Sequence, residues 1–320
     1  ALADENFSPR LVPTFPGHFL LVAGTTRAAD DPYNANAYLT SWGCDSAAGS
    51  TVEVFLQRGE GTRSPGPFPC FNSRVIGDLL DQGKVSWKYY TGAVGNAGDG
   101  NGTNIYDAIK HIRYGPDWAK VIAPSANVLS DIQNCKLPQV AYVTPTWMNS
   151  DHAGDLSNGG PGWVGSIYSA LVQSQSSRSS ACRYYANTAL ILTWDDTGGW
   201  YDHVAPPAGP NKTTWGFRIP ILVISPWARS NFRTRGSFTP YVSHTVREST
   251  AILRFIERNW SLGNLGQRDA SGDDLSDMFD YARPRPVPPI SGWIVRKSIE
   301  GTDFNLSRSQ RDNHVVDDDR

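Results

Sequence analysis

Apolar positions along the chain follow two alternating periods. Val75–Gln82 (VIGDLLDQ) spaces its apolar side chains like one face of a helix, and Val85–Tyr90 (VSWKYY) alternates like a strand. The pairing recurs: Val128–Cys135 (VLSDIQNC) reads as a helix and Gln139–Val143 (QVAYV) as the next strand, stopped by Pro145. Trp163–Val172 then predicts a helix, Thr188–Trp194 (TALILTW) and Ile219–Ser225 (IPILVIS) nearly continuous apolar strands. Ser249–Asn259 predicts an amphipathic helix with Ile252, Phe255 and Ile256 on one face. Apolar strands alternating with helices are expected of a parallel sheet covered on both faces, an α/β fold. The short run Phe19–Ala23, closed by Gly24 and preceded by Pro13 and Pro16, fits a strand or the first turns of a buried helix equally well.

Outside these elements the pattern breaks twice. From Ala28 to Pro69 the chain turns to Gly, Ser, Pro and Asp around one strand, Thr51–Leu56, which reads as a loop-rich excursion over about residues 28–72. Beyond Tyr281, RPRPVPP is a proline-rich spacer and SRSQRDNHVVDDDR a charged end, so 282–320 is expected to be a tail, docked or disordered, on a domain spanning 1–281. No internal repeat is present.

Composition narrows the function classes. With 39% hydrophobic and 19% charged residues the 320-residue chain is globular in type. A formal net charge of -2, with Lys and Arg scattered, offers no basic field for nucleic acid. No window approaches the run of about 20 apolar residues that spans a bilayer. The start, ALADENFSPR, has neither the basic head nor the apolar centre of a signal peptide, so the sequence is expected to begin in mid-domain. Cys44, Cys70, Cys135 and Cys182 lack the spacing of a zinc knuckle or redox motif. Cys44 and Cys70 both lie in Gly/Pro/Ser-rich surroundings where a bridge would restrain the excursion, and Cys135 with Cys182 is left as a second pair.

Candidate chemistry concentrates after two of the strands. Ala189–Leu192 runs directly into TWDDTGGWYDHV, which holds Asp195, Asp196, Asp202 and His203. Ligands of open α/β sheets bind beyond the carboxyl ends of strands. Neighbouring carboxylates repel and raise their own pKa unless a cation sits beside them, so a divalent metal is the economical explanation, with Gly198 and Gly199 letting the chain turn. One Asp there would read as a loop cap, but DD, GG and DH within nine residues favour a site. A second cluster, Asn149, Ser150, Asp151 and His152, follows the preceding strand. His152 fits a ligand, proton donor or phosphate contact as well as it fits a histidine capping the next helix.

The string WDDTGGWYDHVAPP, followed by GFRIPILVISPWAR, YVSHT, STAILRFIERNW and DDLSDMFD, resembles the phosphoesterase family of bacterial phospholipases C and acid phosphatases, in the alkaline-phosphatase-like superfamily. ADENFSPRLVPTFPGHFLLVAGT resembles the segment with that family's nucleophilic hydroxyl, and DHAGDLSNGGPGWVGSIYSAL the segment with its histidine. The resemblance implies a three-layer sandwich with a mostly parallel central sheet. It places Thr14 at the nucleophile, Asp195 and Asp196 at the metal, and His152 and His203 at phosphate or the leaving group; Asp202 fits orienting His203 as well as metal binding, and His244 matches a recurrent family histidine but fits a structural histidine equally well. Asp151, in the second cluster, is a secondary candidate, and His18, about one turn from Thr14, a weaker one. His111 and His314 are expected to be surface residues.

The implied chemistry uses a divalent metal to lower the pKa of the Thr14 hydroxyl, in-line attack on phosphorus, and hydrolysis of a phospho-threonine, with a histidine aiding the departing alcohol. Family members begin with a strand and an ENRSFD-like segment that helps bind the metal; nothing like it precedes Ala1, which implies an N-terminally truncated domain. The expected function is phospholipase-C-like hydrolysis of a phosphate ester such as a phospholipid head group; the alternatives are an acid phosphatase, a truncated inactive ligand-binding domain and a carbohydrate binder. Trp42, Trp87, Trp147, Trp163, Trp200 and Trp215 are candidates to line a pocket for a choline-like cation, although core is the better reading of any one. A secreted or periplasmic location follows from the resemblance and the expected bridge.

Overall fold

A computed structural model describes residues 1–34, 42–56, 61–95, 100–153, 159–208, 215–233 and 237–285. The tail from 286, with His314, parts of the 28–72 excursion and the start of the glycine-rich stretch after His152 lie outside these residues.

Two short strands, β1 (Leu2–Ala3) and β2 (Asn6–Phe7), precede helix α1 (Thr14–Ala23). The excursion carries only a two-residue hairpin, β3 (Val54–Phe55) with β4 (Thr62–Arg63). Then come α2 (Ile76–Gln82), β5 (Trp87–Tyr90), α3 (Lys110–Arg113), β6 (Val121–Ile122), α4 (Asn127–Gln133), β7 (Val140–Val143) and α5 (Gly159–Ser174). The last third holds β8 (Leu190–Leu192), β9 (Ile221–Ile224), the β10 (Ser230–Arg233) and β11 (Ser237–Pro240) hairpin, β12 (Val242–Ser243), β13 (Arg247–Glu248), α6 (Ala251–Asn259) and α7 (Gln267–Ser271).

The fold is mixed α/β. In the order β6-β5-β7 the strands are parallel, with Tyr89 opposite Val121 and Tyr142. In the order β12-β1-β9-β8, β1 runs parallel to β12, but β9 is antiparallel to both β1 and β8. The apolar runs at β8 and β9 had pointed to parallel strands. Apolarity reports burial of a strand's faces, not its direction, and the long connection between them leaves room to return either way.

Successive strand residues face opposite sides, and here that alternation divides two cores. Tyr89 joins a large cluster built from α1, α2 and α6, with Phe19, Leu79 and Leu253 fully buried, whereas Tyr90 joins a second cluster with Val128, Trp163 and Leu171 of α4 and α5. The second sheet obeys the same rule, since Ile191 packs against the first cluster and Leu190 against the second. Among the described residues, β7 pairs only with β5 and β8 only with β9. Both line a cavity of about 1670 Å³, and all three residues of β8 are only half-buried.

Both disulfides form. Cys44–Cys70 closes a separation of 26 residues across the excursion, and Cys135–Cys182 one of 47, tying the chain after α4 to the turn before β8.

Candidate active site

Helix α1 is apolar around most of its circumference and is accordingly a buried helix. Pro13 and Pro16 fit its start: the amide that Pro16 lacks falls in the first turn, where the helix makes no use of it. Gly24 ends the helix at φ +67°, its N–H donating to the Leu20 carbonyl at 3.0 Å. Thr14 therefore stands at the N-terminus of a ten-residue helix, where backbone dipoles favour negative charge. Asp31, from the excursion, accepts the Phe15 N–H at 2.8 Å and fixes that end.

Opposite α1, the chain leaving β8 turns at Gly198 and Gly199, with φ of +60° and +70°. The Gly198 N–H donates to Asp196 Oδ1 at 2.7 Å, and the Thr14 hydroxyl donates to Asp196 Oδ2 at 3.3 Å. His18, one turn beyond Thr14 and on the same face, brings Nε2 to 3.4 Å from Asp195 Oδ2. The approach is close: a Cβ on Gly17 would lie 2.6 Å from the Asp195 carbonyl oxygen. Burial, and then the neighbouring Asp195 charge, push the Asp196 carboxyl up to about 6. Burial pushes the His18 imidazole down to about 4 against the attraction of Asp196, so the histidine is neutral at pH 7 and does not offset the carboxylates.

His152 and Asp151 line the same cavity as Thr14, Asp195 and Asp196. The His152 ring meets the Trp147 ring edge-on, with centroids 5.1 Å apart, and Nδ1 lies 2.8 Å from the Ala153 carbonyl. Asp151 takes φ +59°, and its carboxylate abuts Gly160 in the first turn of α5. The other three candidates stand elsewhere. Asp202 is gripped by Arg218 at 2.7 and 2.8 Å, which holds its carboxyl well below the usual range. His203 is 83% exposed, 3.6 Å from Asp202 and outside the cavity lining. His244 is exposed and bonds Asp4 at 2.9 Å. His111, read as a surface residue, lies partly exposed between Asn72 and Asp78.

Gly17 and Asp31 were not among the sequence candidates, and His18, a weaker one there, stands beside Asp195. The i, i+4 spacing of Thr14 and His18 was the available signal, once Phe19–Ala23 is taken as helical. Among the described residues no group of three or more His, Cys, Asp or Glu side chains forms a ready metal cage. Asp195, Asp196 and the Thr14 hydroxyl nonetheless fit a hard divalent cation, which takes one or two carboxylates and completes its shell with water and phosphate oxygens.

A family model described as the Phosphoesterase family matches residues 1–263. The chain is 28% identical over 251 residues to "Phospholipase C B" of Mycobacterium tuberculosis, an alignment covering 68% of this chain and 45% of that protein. It is 27% identical over 213 residues to "Non-hemolytic phospholipase C" of Pseudomonas aeruginosa, covering 56% and 29% respectively. Similarity extends to "Non-specific phospholipase C5" of Arabidopsis thaliana, 25% identical over 205 residues, 54% of this chain and 38% of that one. The chain thus spans less than half the length of these relatives.

Proposed function

Because the chain belongs to the phosphoesterase family, we propose that the Thr14–Asp195–Asp196 site hydrolyses phosphate esters, with phospholipase-C-like action on diesters. The observation that carries this reading is a buried threonine hydroxyl at a helix N-terminus, hydrogen-bonded to one of two adjacent carboxylates. Thr14 Oγ1 attacks phosphorus as its proton passes to Asp196, the ester P–O bond breaks and the alcohol departs with a proton, and water then hydrolyses the Thr14 phosphodiester to release the phosphomonoester and restore the hydroxyl. Asp196 orients the hydroxyl and accepts its hydrogen bond, while the amino end of α1 favours the negative charge that develops on the oxygen. A divalent cation, held when bound by Asp195 and Asp196, supplies charge neutralisation at the phosphoryl oxygens. His152, across the cavity, is the donor for the departing alcohol, and neutral His18 positions Asp195.

Three further features support the diester reading and its setting. A cavity of about 1670 Å³ leaves room for a second substituent on phosphorus. Two apolar clusters on opposite strand faces fit the three-layer, alkaline-phosphatase-like arrangement. Two disulfides fit a secreted or periplasmic protein.

The test is hydrolysis of a chromogenic diester and a chromogenic monoester, with and without a chelator, by the chain and its Asp195→Asn variant. Diester turnover that a chelator stops and divalent ions restore, with kcat reduced at least about 100-fold in the variant, is expected. Monoester preference would redirect the reading to a phosphatase. Turnover indifferent to chelator and variant, or none with any divalent ion, would overturn it.

A further inference from the structure

The cavity beside the site runs the whole length of two strands, taking in residues 139–145 around β7 and 189–194 around β8. β7 leads to His152 and β8 to Asp195, which line one mouth, so the two strands run in the same direction. They also lie in one layer. Tyr142 and Ile191 pack against the cluster of α1, α2 and α6, and Val143 and Leu190 against that of α4 and α5. Each strand turns an edge toward the cavity. The amides of Val140 and Thr144 donate to the Ser86 and Tyr90 carbonyls, on the β5 side, at 3.0 and 2.8 Å. Alternate amides of a strand point to opposite sides, so those of Ala141 and Val143 point to the cavity. Apolar helix side chains close it from both faces, Leu21, Ile252 and Ile256 on one and Trp163 and Ile167 on the other.

Two strand edges between apolar layers accept an extended chain, which pairs through its main chain and packs through its side chains. Protein interiors hold few voids larger than a water molecule, and about 1670 Å³ is far beyond that. The chain itself carries a segment of the required kind. Arg285 lines the cavity, its N–H donating to the Pro226 carbonyl at 2.7 Å and its Nη2 to that of Ser225 at 3.2 Å. Ser225 follows β9, whose Ile224 pairs with Leu190, so Arg285 stands at the amino end of β8, away from the mouth. The next four residues, PVPP, reach about 12 Å as an extended proline-rich spacer. Ile290–Val295 (ISGWIV) follows, nearly continuously apolar and rich in strand formers, as a strand buried on both faces must be. Its six residues match residues 189–194 in length, and Arg296 and Lys297 then fall at the mouth, complementary in charge to Asp195 and Asp196. We propose that Ile290–Val295 inserts between β7 and β8, parallel to both, and joins the two sheets into one. It fills the apolar length of the cavity and stops at the polar mouth, so the inference holds whatever chemistry the mouth performs.

The test is hydrogen exchange of the full chain, read amide by amide. Ala141 and Val143 should exchange at least about 100-fold more slowly than an unstructured peptide, and Ile294 and Val295 with them. Ile294→Asp should speed exchange at Ala141 and Val143 by about tenfold or more, and Ile294→Ala in the same direction, while the Gly24 amide, bonded to the Leu20 carbonyl, keeps its rate. Ser307→Asp, beyond the segment, should change nothing. Exchange of Ala141 and Val143 at the unstructured rate, or protection that neither Ile294 variant moves, would overturn the inference. Protection that rises with protein concentration would overturn it too, by assigning the cavity to a strand from a second copy. Carbodiimide cross-linking of the unaltered chain needs no variant: Lys297 should join Asp195 or Asp196 within one molecule, and the absence of that product would overturn the insertion.

Discussion

At residue scale the site depends on one missing methyl group. Gly17 lets α1 approach the Asp195 backbone, and a methyl there would meet the Asp195 carbonyl at 2.6 Å, well inside contact distance. Gly17→Ala should therefore push the helix and the loop apart and lengthen both the Thr14–Asp196 and His18–Asp195 contacts. A misplacement near 1 Å costs about 100-fold in rate. We expect kcat on the diester to fall by that order while the melting temperature drops only a few degrees, a split measurable on one preparation. None of this was legible in TFPGH, where Gly17 carries no signal of its own. A glycine needed for close approach looks, in sequence, like one needed for flexibility. Asp195 and Asp196 were legible because charge after an apolar run is conspicuous. Asp202 sits in the same string, but its partner Arg218 is sixteen residues away, so the ion pair between them was hidden.

At element scale, helices α6 and α7 hold a second pair of carboxyls that serves stability. Glu257 of α6 and Asp269 of α7 are both buried and both accept the Leu265 N–H, with Arg254 3.6 Å from Glu257. Burial, and then Asp269, push the Glu257 carboxyl up to about 8. An acid whose folded pKa is raised contributes stability in full below its unfolded pKa, and that contribution is lost as pH rises through the folded value. The protein should thus lose stability between about pH 4.5 and 8, and Glu257→Gln, which cannot ionise, should lose less. Melting curves at pH 5 and pH 9 check this: the variant should match the parent at the lower pH and exceed it by a few degrees at the higher. Element types were readable because α2, α4, α5 and α6 carry strong periodicity. Strand direction was not, since β8 and β9 look alike whether they run parallel or antiparallel.

Across the whole molecule, two cores on opposite strand faces and two cross-links over long separations hold the site's framework. Chain-entropy arguments give each bridge about 3 to 4 kcal/mol. Replacing Cys44 and Cys70 by serine should lower the melting temperature by roughly 6 to 12 °C. It should also loosen the excursion that carries Asp31, the cap on the amino end of α1. Calorimetry of that double variant reads the stability, and a fall in kcat on the diester would report the loosened positioning of Thr14. The site as an assembly was only partly legible from the sequence. Its carboxylates stand beyond a strand end, as expected, but the role proposed for Thr14 came from resemblance alone, because a threonine between prolines has no chemistry of its own until a helix and a carboxylate are placed beside it. The proposed hydrolysis depends most directly on that threonine. Rapid-quench mass spectrometry of the chain turning over a diester, with divalent ions present, should find the substrate's phosphoryl group, still carrying its second ester substituent, on the peptide containing Thr14, and neither adduct nor turnover in Thr14→Ala. Turnover that leaves Thr14 unmodified and persists in the variant would contradict it.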